Sequence, residues 1–306
     1  VTQPVLAMTG ATGFVGGATM RQAIDAGWHV RALARRPQAE QEGVTWIAGA
    51  LDKPDSLAEM VAGSDVVMHI AGVVNVPTRA AFEAGNATAT GHVIDAAHSA
   101  GVTRFVHVSS LAAREPDLSD YGWSKERAEI IVQGSGLDWT IVRPPAVFGP
   151  GDAEMLDLFR MARRGIALLP PSGRMSAIYV DDLARLLVAL AGDHGPSIHA
   201  TYEPDDGEVD GWTHRGFARA IGRAVGRSHV AALAVPAAVL KAGGRIDKLV
   251  RRSRAKLTPD RARYIAHPDW VATTGAQPPA ALWRPERDTD DALAETVRWY
   301  RREGWL

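Results

Sequence analysis

The chain has no cysteine. That excludes disulfides, thiolate metal sites and a cysteine nucleophile. Neither sign of charge is in excess: 34 Lys and Arg face 35 Asp and Glu, a formal net charge of −1. No global field therefore draws in nucleic acid or an acidic partner. No run approaches the ~20 apolar residues of a bilayer span, so stable membrane insertion is not expected. The first apolar run, Val5–Met8, is too short for a secretory signal and follows no basic region, and the chain reads as soluble and cytoplasmic. Ten histidines show no ligand spacing, and no metal site is expected. What is present is ordinary for a globular protein: 306 residues, 46% hydrophobic and 23% charged, enough for one large or two modest domains.

The 30 glycines are numerous, and three carry a pattern, in Thr9-Gly10-Ala11-Thr12-Gly13-Phe14-Val15-Gly16. This segment follows the apolar run Val5–Met8 and opens a helix-compatible stretch, Ala18–Ala26. Strand, glycine turn and helix in that order make a dinucleotide-binding unit. Gly10 permits the sharp turn, Gly13 lets backbone approach a pyrophosphate, and Gly16 lets helix and strand pack closely. The N–H groups of Thr12, Gly13, Phe14 and Val15 and the positive helix end would hold phosphates. The spacing is G-x-x-G-x-x-G rather than G-x-G-x-x-G.

Further apolar runs at His29–Leu33, Thr45–Ala48, Val66–Ile70, Phe105–Val108 and Thr140–Val142 read as buried parallel strands. Helices are expected between them at Pro54–Ala62, Thr78–Ala100 and Tyr121–Gln133, with Pro54 at a first helical position and Gly63 and Gly101 as stops. Repeated β-α-β units predict a doubly wound parallel sheet with ligands at the carboxyl ends of its strands. The alternation breaks after Gly149-Pro150-Gly151. A smaller, mostly helical second domain is expected over 149–175 and 201–306, with the first domain spanning 1–148 and regaining the chain at 176–200. Ile178–Leu183 reads as a strand leading into an Asp-capped helix that runs to Ala191.

Tyr121 and Lys125 stand at i and i+4, on one face of their expected helix. An ammonium there favours the phenolate and makes the tyrosine a usable acid or base near neutral pH. The plainer alternative is an exposed pair on a solvated helix. Upstream, Phe105–Val108 ends in Ser109-Ser110. A hydroxyl at that strand end can donate to a substrate oxygen; Ser109 reads better as a strand-to-loop serine satisfying backbone groups, leaving Ser110 as the candidate.

Taken together, these segments resemble the extended branch of the short-chain dehydrogenase/reductase superfamily, its epimerase/dehydratase-like group. The carrying stretches are the glycine turn, His69-Ile70-Ala71-Gly72, Val108-Ser109-Ser110, Tyr121 to Lys125, Arg143-Pro144-Pro145-Ala146-Val147-Phe148-Gly149-Pro150-Gly151 and the tail Thr296 to Leu306. The resemblance implies Tyr121 as general acid/base, Lys125 on the nicotinamide ribose, Ser110 orienting the reacting oxygen and Asn86 supporting the site. It also implies cofactor contacts at Ala71, Gly72, Pro144 and Val147, with Pro144 and Pro145 lying where backbone groups meet the nicotinamide carboxamide.

Members that bind NAD carry an acidic residue near the end of the second strand. Here His29–Leu33 runs into Ala34-Arg35-Arg36-Pro37. A guanidinium fork suits a 2′-phosphate, so NADP is expected over NAD, with Arg35 the main contact and Arg36 secondary; solvated loop arginines are the alternative. The family's adenine-contacting aspartate is replaced by Ala50, with Asp52 two positions on, which leaves backbone around Leu51 for that contact.

Lys241 to Lys256 is basic, with Arg245, Lys248, Arg251, Arg252 and Arg254 against Asp247 alone. It could meet an anionic substrate or a membrane surface, or be a solvated helix face. Trp212, Trp270, Trp283, Trp299 and Trp305 read as core and lid packing. Met155, Leu156, Leu158 and Phe159 fit either a substrate pocket or an inward-packed helix. Three functions remain in view. The first is an NADP-dependent oxidoreductase interconverting a ketone and a secondary alcohol on a fairly apolar small molecule, acting as a monomer or homodimer. The second is a nucleotide-sugar epimerase or dehydratase with bound NAD, and the third a non-catalytic NADP-binding module.

Overall fold

Six strands of the first half form as the periodicity predicts: β1 (Val5–Thr9), β2 (His29–Ala34), β3 (Val44–Ala48), β4 (Val66–His69), β5 (Arg104–Val108) and β6 (Asp138–Val142). The computed structural model describes residues 3–193, 195–236, 238, 239, 242 and 258–306. β4 and β5 are buried at every position, as expected of strands covered on both faces. With Ala200–Tyr202 at one edge, the strands build a seven-stranded sheet in the order Ala200–Tyr202, β6, β5, β4, β1, β2, β3. Every pairing in it is parallel. The order runs outward in both directions from β1 and β4, so the switch point lies between their carboxyl ends, where such sheets bind ligands.

Helices α1 (Phe14–Asp25), α2 (Pro54–Val61), α3 (Arg79–Phe82), α4 (Ala89–Ser99) and α5 (Asp120–Gln133) connect the strands. Leu57, Met60 and Val93 of these helices are fully or almost fully buried with Ala7, Val67 and Phe105 of the sheet. Two helices differ from expectation. α1 starts at Phe14 rather than Ala18, because extended Gly13 (φ −88°, ψ 176°) already serves as its N-cap; the low helix propensity of Gly16 and Gly17 disguises this in the sequence. The expected helix Thr78–Ala100 is interrupted by a π turn at Glu83–Thr88.

The chain divides into two compact units: Val1–Arg143, Leu183–Tyr202 and Pro278–Trp283 in one, and Pro144–Asp182, Glu203–Gln277 and Arg284–Leu306 in the other. The crossings fall at 143/144, 182/183 and 202/203, against expected ones near 148, 175 and 200. The first unit also takes back Pro278–Trp283, which carries the buried Trp283. The helix after Ala177–Tyr179 begins at Val180, so Asp181 and Asp182 occupy its first turn instead of capping it. Asp182 accepts from the backbone N–H groups of Glu286 and Arg287.

The second unit is less helical than expected. It holds the parallel pairs Ala146–Phe148 with Ala177–Tyr179 and Ile166–Leu169 with Ala231–Ala234, and a three-stranded cluster of two-residue strands. Strands of two to four residues are too short to show a period. Helix Leu156–Arg163 buries Leu156, Phe159 and Ala162, the inward-packed alternative for that stretch. Phe159 meets Tyr300 of the closing helix Thr289–Arg302 edge-on at 5.2 Å, and the Tyr300 hydroxyl donates to the Asp152 carbonyl at 2.7 Å. Among the described residues no helix is long and apolar enough to cross a membrane. The basic stretch 241–256, apart from Ala242, lies outside the described residues.

Candidate cofactor and catalytic site

The glycine turn is built so tightly that two of its positions admit no side chain. Gly10 has φ +78°, and a Cβ there would stand 2.7 Å from the Ala71 backbone nitrogen. A Cβ on Gly16 would stand 2.0 Å from the Gly10 carbonyl oxygen. Gly13 donates its N–H to Gly10 at 2.9 Å, and no side chain caps α1. The first-turn N–H groups are thus left without a capping acceptor. Thr12 and Gly13 are exposed, and Phe14 and Val15 half-buried. This arrangement suits a phosphate at a helix N-terminus.

The carboxyl end of β4 meets the turn. Ala71 donates its N–H to Thr9 Oγ1 at 3.2 Å. A Cβ on Gly72 would lie 2.9 Å from Asn86 Oδ1 and 3.9 Å from Lys125 Nζ, so Gly72 covers both side chains. Asn86, 1% exposed in the π turn, latches the loop after β4. Its Oδ1 accepts from Val73 N–H at 2.7 Å, and its Nδ2 donates to Val73 O at 3.0 Å and to Ser124 Oγ at 2.8 Å. Ser124 in turn donates to the Tyr121 carbonyl.

Tyr121 and Lys125 lie in the first two turns of α5, whose N-cap Ser119 accepts from Gly122 N–H at 3.0 Å. The Tyr121 ring packs 6.1 Å from that of Phe82. Lys125, 4% exposed, donates to the Val108 carbonyl at 2.9 Å. Its ammonium therefore reaches the carboxyl end of β5, two residues from Ser110. Burial pulls its pKa from 10.5 down to about 8, against the opposing charge of Glu129. Ser110 caps the short turn Leu111–Arg114 by accepting from Ala112 N–H at 3.2 Å, which leaves its own proton available. Ser109 is a supporting residue, but through a side chain rather than the backbone expected: its hydroxyl donates to Glu129 Oε1 at 2.5 Å.

Arg35 and Arg36 follow β2 directly, are exposed, and make no ion pair among the described residues. Leu51 packs its side chain on the core, and its carbonyl is 2.9 Å from His92 Nδ1. Asp52 is exposed. The backbone acceptor at Leu51 is thus already shared, leaving the N–H groups beside it as donors. Pro144 and Val147 belong to the second unit, Pro144 buried and Val147 paired with Ile178.

Two supporting networks carry no sequence signal of a role. Glu129, 2% exposed, accepts from Arg143 Nε at 2.9 Å and Nη2 at 2.6 Å in addition to Ser109, tying the ends of β5 and β6 to α5. His69 is fully buried, with Nδ1 2.7 Å from Thr9 Oγ1 and Nε2 3.1 Å from Thr90 Oγ1. Thr90 donates its proton to the Asn86 carbonyl, so it accepts from Nε2–H, and Thr9 donates to Nδ1. Burial, and secondarily Lys125, lowers the His69 pKa to about 3, so the imidazole stays neutral and this relay holds one direction. His107 stacks on it at 5.4 Å and is likewise held neutral by burial.

The NAD(P)H-binding family model matches residues 10–193, the stretch that contains all of this machinery except Thr9. Over 99% of this chain and 96% of its own length, ceramide reductase of Caulobacter vibrioides is 35% identical. The chain belongs to the extended short-chain dehydrogenase/reductase family. As a member of it, the protein is an NAD(P)-dependent oxidoreductase. Shorter matches include a 4-hydroxy-2-methyl-3-oxo-4-farnesyl-3,4-dihydroquinoline-1-oxide ketoreductase of Stigmatella aurantiaca, 31% identical over 51% of this chain and 55% of that one. Another is a 2-alkyl-3-oxoalkanoate reductase of Stenotrophomonas maltophilia, 28% identical over 58% and 62%. Among solved structures, human epimerase family protein SDR39U1 with NADPH aligns over 96% of this chain and 99% of that chain at TM-score 0.73 and 19% identity. MoeE5 with UDP-glucose and NAD aligns over 98% and 99% at TM-score 0.72 and 22% identity. At such identities these two establish the shared fold.

Proposed function

We propose that this family member is an NADPH-dependent reductase of a ketone on a molecule bearing a long hydrocarbon chain. The observation that carries the reaction type is the convergence on Lys125: its ammonium at the Val108 carbonyl, Ser110 two residues on, and Gly72 close to both Lys125 and Asn86. The substrate class is supported by the relatives, named for a ceramide, a farnesyl-bearing 3-oxo ring and a 2-alkyl-3-oxoalkanoate.

When bound, the reduced nicotinamide supplies the hydride for the carbonyl carbon. Tyr121 gives its phenolic proton to the carbonyl oxygen as negative charge builds there, and the proton is replaced from solvent. Lys125, one helical turn on, favours the phenolate and so lowers the cost of that donation. Ser110 donates a second hydrogen bond to the same oxygen. Asn86 acts on the site through the Val73 loop and Ser124, as a positioning residue. The exposed Arg35, with Arg36 beside it, pairs with a 2′-phosphate and favours NADPH over NADH.

The test is net cofactor consumption with a panel of 3-oxo amides and 3-oxo acids graded by chain length. One NADPH oxidised per alcohol formed, with kcat/KM rising with chain length and lower rates on NADH, is expected. Sugar-nucleotide conversion without net cofactor change would overturn the reading in favour of an epimerase.

A further inference from the structure

Seven large apolar residues are exposed among the described residues, and three of them fall together: Ile166, Leu168 and Leu233, at 44, 52 and 53% exposure. They stand on one parallel strand pair of the second unit, Ile166–Leu169 with Ala231–Ala234. Alternation sorts its two faces. Ala167 and Leu169 are buried, with helices Leu156–Arg163 and His214–Val225 packed against that strand. Ile166 and Leu168 point the other way, and the register sets Ala231 beside Ile166 and Leu233 beside Leu168. The result is a small, contiguous apolar face with nothing from the described chain over it.

Its rim is rich in arginine. Parallel pairing brings the amino ends of both strands to the same side, and there stand Arg163, Arg164 and Arg227, all exposed. Arg227 Nε donates to the Arg163 carbonyl at 2.9 Å, which fixes them as neighbours. None of the three makes an ion pair among the described residues. The sequence holds no Asp or Glu from Leu158 to Val180 or from Gly211 to Ile246, so both strands and helix His214–Val225 are free of acid. The nearest acid on helix Leu156–Arg163, Asp157, pairs with Arg160.

We propose that this strand pair is a docking surface for an anionic lipid bilayer. Apolar tips set among unpaired arginines match the headgroup boundary, where apolar burial and attraction to anionic lipid act together. A second copy of the chain would bring like-charged rims together, whereas an anionic surface neutralises them. For an enzyme of substrates with long hydrocarbon chains, such docking would place it where they reside. The inference stands independently of which ketone is reduced, because docking is measured without substrate.

The experiment is co-sedimentation of the full chain with vesicles of phosphatidylglycerol and phosphatidylcholine, against vesicles of phosphatidylcholine alone, without cofactor or ketone. Binding at least tenfold tighter to the anionic vesicles, weakened by added salt, is expected. Arg163→Gln with Arg164→Gln should weaken it by about fivefold per arginine. Leu168→Gln with Leu233→Gln should weaken it while the arginines remain. Both double variants alter exposed side chains and should keep the parent melting temperature and NADPH affinity. Binding that ignores lipid charge, or that neither double variant changes, overturns the proposal. So does the absence of vesicle binding together with self-association that Leu168→Gln and Leu233→Gln abolish.

Discussion

Replacing Lys125 by methionine should leave the apo fold at least as stable near neutral pH while removing the activity. The native pKa of about 8 against the ordinary 10.5 means that burial disfavours the ammonium by about 3 kcal/mol. The native chain bears that cost at every pH below about 8. Against it stands the hydrogen bond to the Val108 carbonyl, whose loss costs about 1–3 kcal/mol. Methionine, close in length and apolar, should therefore leave stability at pH 7 unchanged or raise it by about 2 kcal/mol. The sharper signature is in pH. Between about 8 and 10.5 the unfolded chain keeps this proton and the native chain releases it, so the parent gains stability as pH rises. Urea unfolding of parent and variant, followed by tryptophan fluorescence from pH 7 to 10.5, reads the difference directly, since all other groups titrate in both. The variant's advantage should shrink and reverse, moving by about 3 kcal/mol across the range. A difference that stays flat with pH would refute the claim that a charged amine is buried at the end of β5.

Three further outcomes follow from the same geometry. Gly16→Ala should abolish NADPH binding and lower the melting temperature, because its Cβ meets backbone at 2.0 Å, whereas Gly17→Ala, whose nearest contact is 3.5 Å, should be tolerated within about 1 kcal/mol; calorimetry and thermal unfolding compare the two, and equal effects would contradict the close-packed turn. Glu129→Gln keeps one acceptor oxygen but removes the charge and turns an NH2 group towards Arg143 Nη2, and should cost about 3 kcal/mol in urea unfolding; a loss below about 1 kcal/mol would show that the network does not hold the strand ends. Arg35→Gln should raise the Kd for NADPH at least tenfold, about 1.4 kcal/mol, and leave NADH unchanged in titration calorimetry; a parallel loss for both would place the arginine elsewhere.

Much of the first unit was legible because its signals are local. Gly10, Gly13 and Gly16 sit within seven residues of each other between a strand and a helix, and fully buried parallel strands announce themselves as continuous apolar runs. The placement of Tyr121 and Lys125 on one helix, four residues apart, is also a helix-spacing argument. What could not be read are contacts between residues far apart in the chain. Thr9, His69 and Thr90 form one relay only because β1, β4 and α4 bring them together, and nothing around Glu129 signals that Ser109 and Arg143 converge on it. At the π turn Glu83–Thr88, Gly85, Asn86 and Thr88 are poor helix formers, but composition does not say which kind of break they make; the bonds of Asn86 to Val73 and Ser124 are long-range. In the second unit, strands of two residues carry no periodicity, and the face of Ile166, Leu168 and Leu233 emerges only once the register is known.

The central claim is that Tyr121 donates the proton to the ketone oxygen. Its direct measurement is kcat/KM for NADPH oxidation with the best long-chain 3-oxo substrate, in the parent and in Tyr121→Phe, with NADPH affinity measured alongside. The account predicts a fall of about 10²–10⁴-fold in kcat/KM with the NADPH Kd unchanged. Near-parental turnover by Tyr121→Phe would contradict it.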